Sequence, residues 1–153
     1  MSRLSYSVLA AVDPADLLPT LNKRAVRAHL IDHPRFDAAT AAEWLAGKLA
    51  VDATPGCRVR AVLVDGELAG WCGIQFENGQ YELAIVLDDA HWGIGPRVFR
   101  EMMGWARELG HETVCIHFLH TRPAYRFLRK MARRVHESEW LGSRFTTYEL
   151  AVG

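Results

Sequence analysis

The chain has 153 residues, and its 18 Lys and Arg residues balance its 18 Asp and Glu residues. Half of the residues are hydrophobic, which is typical of one globular domain spanning 1–153 and argues against disorder. Zero net charge disfavours a globally basic nucleic-acid binder, whose partner is a polyanion. No apolar run reaches the ~20 residues that span a bilayer. The N-terminus also lacks the pattern of a signal peptide, so we expect a cytoplasmic protein without a membrane partner.

The first third of the chain predicts one strand and two helices. The strand covers residues 4–12 and ends at Asp13-Pro14. Apolar residues at near-helical spacing predict helices over 15–31 and 38–50. The segments 32–37 (DHPRFD) and 52–56 (DATPG) have loop composition and are the predicted breaks.

The pattern then changes to that of consecutive hairpins. Asp65-Gly66 and Asn78-Gly79 are hairpin signals, because each glycine can take the positive φ that a two-residue primed turn requires. Three antiparallel strands are therefore predicted, at about 58–65, 67–76 and 80–87.

The second half alternates helices and strands. Pro96 in a first turn and Gly110 as a C-terminal cap predict a helix over 96–110. A strand over 113–119, a helix over 122–133 capped by Thr121, and strands over 134–140 and 144–152 follow, with a turn at 141–143. This order predicts a mixed, largely antiparallel sheet flanked by helices, which is an α+β arrangement.

Two glycines, Gly93 and Gly95, stand directly before the helix that follows the third hairpin strand. Glycine lets backbone approach a ligand closely, and a helix N-terminus offers unpaired N–H groups and a positive dipole end. Together they make an anion site suited to phosphate, to which Arg97 can add a charge. A tight strand-to-helix connection would need the same glycines. The motif lacks the third glycine of a Rossmann fingerprint and the GK[ST] of a P-loop.

Residues 81–132 and the order of elements resemble the GNAT superfamily of acyl-CoA-dependent N-acyltransferases. The family signature Q/R-x-x-G-x-G/A stands here as Ala90-His91-Trp92-Gly93-Ile94-Gly95. The family's N-x-x-A-x-x-x-Y helix stands as TRPAYRFL, residues 121–128. The resemblance implies a GNAT-like mixed sheet of six to seven strands flanked by about four helices.

The resemblance also implies a co-substrate, acetyl-CoA or CoA, and the residues that hold it. The fourth and fifth strands of this family splay apart, and the edge of the fourth strand pairs with the pantetheine amides. The implied contacts are Ile85, Leu87, Trp92, Gly93, Ile94, Gly95, Arg97, Thr121 and Ala124.

The implied reaction is transfer of an acetyl or other acyl group to a primary amine by direct attack in a ternary complex. The amine must be neutral to attack, and a lysine-type ammonium has a pKa near 10.4, so a base is useful. Glu82 on the fourth strand is the candidate base, with a solvated strand carboxylate as the alternative interpretation. A backbone N–H around Ile85, Val86 or Leu87 is the implied oxyanion donor.

Three positions depart from the family pattern. Ala90 replaces the usual Gln or Arg, and Pro96 removes a backbone donor beside the glycines. Leu128 stands where many members carry a Tyr that protonates the departing thiolate. That role is then unfilled, performed by water, or transferred to Tyr125 or His120.

The acceptor is a small-molecule or peptide amine that the sequence does not identify. The family commonly contacts the acceptor through the loop 32–37, here with His33, Arg35, Phe36 and Asp37. Dimerisation is common in the family, so the resemblance also suggests a homodimer.

The balanced net charge is unevenly distributed along the chain. No Lys or Arg lies between Ala61 and Pro96, whereas nine lie from Arg97 to Arg134. An acidic region suits a cationic amine, and a basic one suits the phosphates of CoA.

Other functions stay open. A degenerate GNAT module that binds CoA or a partner without catalysis is compatible with Ala90 and Leu128. Nucleic-acid binding through the basic residues of 122–134 is a third hypothesis, although such a run is usually a solvated face. Neither His29 and His33 nor His117 and His120 have a third ligand at recognisable spacing, so ordinary hydrogen-bonded or exposed histidines and no metal are expected.

Overall fold

A computed structural model of the chain describes residues 3–22, 36–77, 79–88, 93–119, 126–140 and 143–152. Its strands are β1 (Leu4–Val8), β2 (Arg58–Val64), β3 (Glu67–Glu77), β4 (Gln80–Leu87), β5 (Thr113–Leu119), β6 (Ala132–Trp140) and β7 (Ser143–Ala151). Its helices are α1 (Pro14–Asn22), α2 (Ala38–Asp52), α3 (Gly95–Glu108) and α4 (Arg126–Met131), with a 3₁₀ turn at Leu9–Ala11. In this part of the chain, every helix is too short or too polar to cross a membrane.

The seven strands form one sheet in the order β1-β2-β3-β4-β5-β7-β6. All neighbours are antiparallel except β4 and β5, which are parallel. The predicted mixed, mostly antiparallel sheet flanked by about four helices is therefore confirmed. The first hairpin also has the predicted primed turn, since Asp65 and Gly66 both have positive φ, 51° and 83°.

The sheet buries an apolar layer on each of its two faces. On one, called the α3 face below, Val98 and Met102 of α3 and Leu128 of α4 pack against the strands. On the other, called the α2 face, Leu17 of α1 and Leu45 of α2 pack against residues of β2, β3 and β4. Adjacent strand residues point to opposite faces, so β2, β3 and β4 supply both layers.

Several predicted boundaries differ from the structure by one or more residues, and three of them have a clear reason or are typical. The strand predicted over 4–12 ends at Val8, because the chain turns into the 3₁₀ helix and buries Leu9 there. The second helix continues from residue 50 to Asp52. The helix predicted over 122–133 ends at Met131, because Ala132 already pairs with Leu150 of β7. Predictions for 23–35, 78, 122–125 and 141–142 lie outside the described residues.

Candidate active site

A gap between β4 and β5 opens in the middle of the sheet. The two strands pair at only two positions, Glu82 with Cys115 and Leu83 with Ile116. Both strands continue beyond these pairs, to Leu87 and to residue 119. The predicted splay of the fourth and fifth strands is therefore confirmed. An opened strand edge presents backbone groups with which an extended ligand can pair.

The hydrogen-bond alternation of β4 determines which amides face this gap. The N–H of Asp88, just after β4, donates to the carbonyl of Ala69 in β3 at 2.7 Å. Since alternate residues of an antiparallel strand bond the same neighbour, Ile85 and Leu87 direct their N–H groups toward the β5 side. Their side chains pack on the α3 face, as does that of Ile94. A ligand in the gap would therefore meet these residues through their backbone.

The N-terminus of α3 lies beside the end of β4. A Cβ added at Gly95 would lie 4.0 Å from Leu87 Cδ1, and one added at Gly93 would meet nothing within 4 Å. The helix has no side-chain hydrogen bond at its N-cap, and Pro96 is in its first turn. Amide groups of an uncapped first turn favour an anion, and the exposed Arg97 stands beside them. This end of the helix fits a phosphate-bearing ligand.

Several predicted site residues cannot be placed or have another role. Trp92, His120, Thr121, Ala124 and Tyr125 lie outside the described residues. Leu128 is 1% exposed within the core of the α3 face, so its position serves packing.

The loop predicted to contact the acceptor is described only at its end. Asp37 caps α2, because its carboxylate accepts from the N–H of Thr40 at 2.8 Å and the Thr40 hydroxyl accepts from the Asp37 N–H. Phe36 packs against the core of the α2 face. Both residues thus have structural roles here.

Glu82 is buried at the base of the gap. Its neighbour Leu83 lies in the α3-face core, so the Glu82 side chain belongs to the α2 face. Gln75 Nε2 donates to Glu82 Oε1 at 3.3 Å, and His117 Nε2 lies 3.2 Å from Glu82 Oε2. The interpretation as a solvated strand carboxylate is wrong, since the residue is 9% exposed and both oxygens have protein partners.

Lys48 of α2 adds a cation to this group. Its ammonium donates to Gln75 Oε1 and lies 4.5 Å from the centre of the Trp71 ring. Burial lowers the pKa of Lys48, while the carboxylates of Glu77 and Glu82 act in the opposite direction. An aromatic face and an amide oxygen thus already hold a primary ammonium in the field of two carboxylates, which is the chemistry that recognises cationic amines.

Two further ionisable side chains belong to the same region. Burial raises the pKa of Glu77, and the neighbouring Glu82 carboxylate adds to this effect while Lys48 opposes it. Burial raises the pKa of the Cys115 thiol to about 11, so the group stays protonated at neutral pH. Among the described residues, no group of three or more His, Cys, Asp or Glu side chains can hold a metal ion.

Sequence reasoning identified Glu82 but missed its partner Gln75, the nearby charges of Lys48 and Glu77, and Thr147, which bonds His117. It treated His117 as an ordinary hydrogen-bonded histidine. One signal was available, because Gln75 is a polar residue inside the otherwise apolar run GWCGIQF of β3. Only the register of the sheet brings these positions together, since they come from separate elements.

No family model matches the sequence, and no curated protein does. Solved structures match over nearly the whole chain. An acetyltransferase from Salmonella typhimurium that modifies the N-terminal serine of a 50S ribosomal subunit protein is 14% identical, with a TM-score of 0.75, over 99% of this chain and 95% of that one. Spermidine N-acetyltransferase from Vibrio cholerae, in complex with CoA and spermine, is 15% identical, with a TM-score of 0.74, over 97% and 95%. An acetyltransferase of the GNAT family from Streptococcus pneumoniae is 16% identical, with a TM-score of 0.68, over 100% of each chain. The chain therefore has the fold of the GNAT acetyltransferases.

Proposed function

We propose that the chain is an N-acetyltransferase that moves an acetyl group from acetyl-CoA to a primary amine by direct attack in a ternary complex. The observation that carries the proposal is the buried Glu82 carboxylate, held by Gln75 and His117 where β4 and β5 part. The fold that this chain shares with acetyltransferases supports the same conclusion, and one of them was solved with CoA.

The α3 side of the gap supplies the binding groups for acetyl-CoA. The backbone N–H groups of Ile85 and Leu87 would pair with the pantetheine amides, and one such N–H would stabilise the acyl oxygen during attack. The first turn of α3, from Gly93 to Arg97, would hold the pyrophosphate. When bound, acetyl-CoA supplies an activated thioester.

The α2 side supplies the groups for the amine. A lysine-type ammonium has a pKa near 10.4, so the acceptor must lose a proton before it attacks. Glu82 would take this proton directly or through one water molecule. Glu77 adds a second acidic side chain, and the two carboxylates outnumber the single ammonium of Lys48. This balance favours a cationic acceptor, a class that includes polyamines and peptide amines.

The first experiment tests the base. Glu82→Gln keeps the size of the side chain and removes the proton acceptor, so kcat should fall about 10²–10⁴-fold. Thiol release with a panel of amines measures turnover, and calorimetry with CoA should give an unchanged Kd. Glu108→Gln is the matched control, because Glu108 is an exposed carboxylate that pairs with Arg58. Wild-type turnover in E82Q would remove Glu82 as the base.

The second experiment tests the CoA site. A Cβ at Gly93 meets no protein atom within 4 Å, so Gly93→Ala should leave the melting temperature unchanged. It should still weaken CoA binding, because the added methyl group occupies the space in which the backbone would approach the pyrophosphate. Gly104→Ala, later in α3, is the control, since its Cβ also meets nothing. Equal CoA affinity in the two variants would contradict this site.

A binding module without catalysis is the alternative function. Leu128, buried in the core where many family members carry a Tyr, favours it. CoA would then raise the melting temperature while no amine in the panel releases thiol.

A further inference from the structure

A hydrogen-bonded chain of side chains runs behind Glu82 across three strands. His117 of β5 has its Nε2 3.2 Å from Glu82 Oε2 and its Nδ1 2.7 Å from Thr147 Oγ1. Thr147 lies on β7 directly opposite His117 in the sheet register and is 1% exposed. Both nitrogens of this largely buried ring therefore have partners, which determines the orientation of the imidazole.

The chemistry of the partners defines the direction of each hydrogen bond. An ionised carboxylate only accepts, so the Nε2 of His117 must donate to Glu82. In the neutral ring Nδ1 is then an acceptor, and the Thr147 hydroxyl donates to it. In the imidazolium Nδ1 donates and the same hydroxyl accepts. The carboxylate thus keeps the donor on Nε2, and the Thr147 hydroxyl can pair with Nδ1 in both protonation states of His117, which holds the ring in place.

We propose that His117 is a positioning residue for Glu82, and that Thr147 holds the imidazole in the orientation that this requires. The inference rests on the proposed function, in which Glu82 is the base. Gln75 holds Oε1 of the carboxylate and His117 holds Oε2, so the two together set the plane of the group. A base that is free to rotate spends less time in reach of the amine, which lowers kcat more than the affinity for either substrate.

Two substitutions at His117 distinguish the effect of losing the Nε2 hydrogen-bond donor from the effect of losing the imidazole ring itself. His117→Leu removes the donor and should lower kcat about 10–100-fold, the scale of effect when a hydrogen-bonded supporting residue is lost. His117→Gln places an amide N–H close to the position of Nε2 and should restore most of this loss. The KM of the amine and the Kd of CoA should stay within about twofold in both variants, since neither substitution removes a group assigned to binding.

Thr147 provides a matched pair. Thr147→Val keeps the shape and removes the hydroxyl, so the ring loses the partner of Nδ1 and kcat should fall several-fold. Thr147→Ser keeps the hydroxyl and should retain wild-type kcat. If H117L does not fold, this pair decides the matter, and equal kcat in T147V and T147S overturns the proposal.

The remaining outcomes distinguish this inference from the proposed function. An inactive E82Q together with wild-type kcat in H117L overturns the positioning role and leaves the base in place. Equal losses in H117L and H117Q, or a loss in KM with unchanged kcat, also overturn it. Full turnover in E82Q removes the base itself, and the proposed mechanism fails before the role of His117 is in question.

Discussion

The two faces of the sheet are built from the same strands and differ in what they bury. The α3 face is apolar, with Val98, Met102 and Leu150 fully buried. The α2 face combines an apolar layer with a largely buried polar group that comprises Lys48, Gln75, Glu82, His117 and Thr147, and with the exposed Glu77. Buried polar and charged groups add little net stability even when they are paired. In the proposed function, the α2 face provides the base, and the apolar α3 face contributes more to stability.

The largest expected effect on the free energy of unfolding is at Gly70, where two strands shared by both faces approach closely. Gly70 of β3 has φ +154°, and a Cβ there would lie 2.0 Å from the Val86 carbonyl oxygen of β4. Gly70→Ala must displace one strand from the other, so we expect a loss of more than about 4 kcal/mol in the free energy of unfolding. Gly104→Ala is the control and should gain about 0.5–1 kcal/mol, because it replaces glycine within a helix. Urea denaturation measures both, and wild-type stability in G70A would contradict this close approach.

The next prediction separates the two faces. Met102→Ala removes a fully buried side chain of α3 and should lower the free energy of unfolding by about 2–5 kcal/mol. Turnover per folded molecule should be unchanged, because the polar group lies on the opposite face of the sheet. E82Q should show the reverse, with activity lost and stability within about 1 kcal/mol of wild type. If M102A loses turnover while it is still folded, the two faces are not independent.

A smaller effect concerns the acidic pair of the α2 face. The pKa of Glu77 in the folded chain is raised above its ordinary value of 4.5. The folded state therefore disfavours ionised Glu77, and this penalty is present above the raised pKa and disappears below 4.5. Glu77→Gln should raise stability at neutral pH, by less than about 1 kcal/mol because the side chain is partly solvated.

The pH dependence is the check on this prediction. Urea unfolding at about pH 7 and about pH 4 should show a gain at the higher pH that fades at the lower one. Glu43→Gln, an exposed carboxylate of α2, is the matched control and should show no such gain. An equal gain of E77Q at both pH values would contradict the raised pKa of Glu77, to which burial contributes most and the Glu82 carboxylate adds.

The smallest expected effect is on an exposed ion pair at the rim of the α3 face. Glu108→Gln breaks the 2.9 Å contact with Arg58 Nη1 and should cost no more than about 1 kcal/mol, because exposed pairs are screened by water. Arg58 also keeps its contact with the Trp105 ring, 5.6 Å from the ring centre. Thermal melts of E108Q and wild type at low and high salt measure this cost. A loss of stability much larger than about 1 kcal/mol would contradict the screening of this ion pair by water.

Local features of the sequence were sufficient for most of the elements. The Asp65-Gly66 turn was predictable because positive φ at two consecutive positions depends on the residues themselves. The glycines before α3 and the hairpin strands also depend on nearest neighbours along the chain. Strand ends were less predictable, as at Ala132, where pairing with Leu150 overrides helical propensity.

The sequence by itself therefore determined the order of strands and helices along the chain and the Asp65-Gly66 turn, and it indicated the candidate anion site and, through the family resemblance, Glu82 as the candidate base. Only the tertiary structure decided that Gln75 and His117 contact that carboxylate and that Lys48 and Thr147 bond these two residues in turn, because α2 and four strands bring them together. The physical reason is that the two kinds of interaction act over different distances along the chain. Dihedral preferences and apolar periodicity act over a few residues, whereas the contacts of a buried polar group depend on the register between strands far apart in the chain.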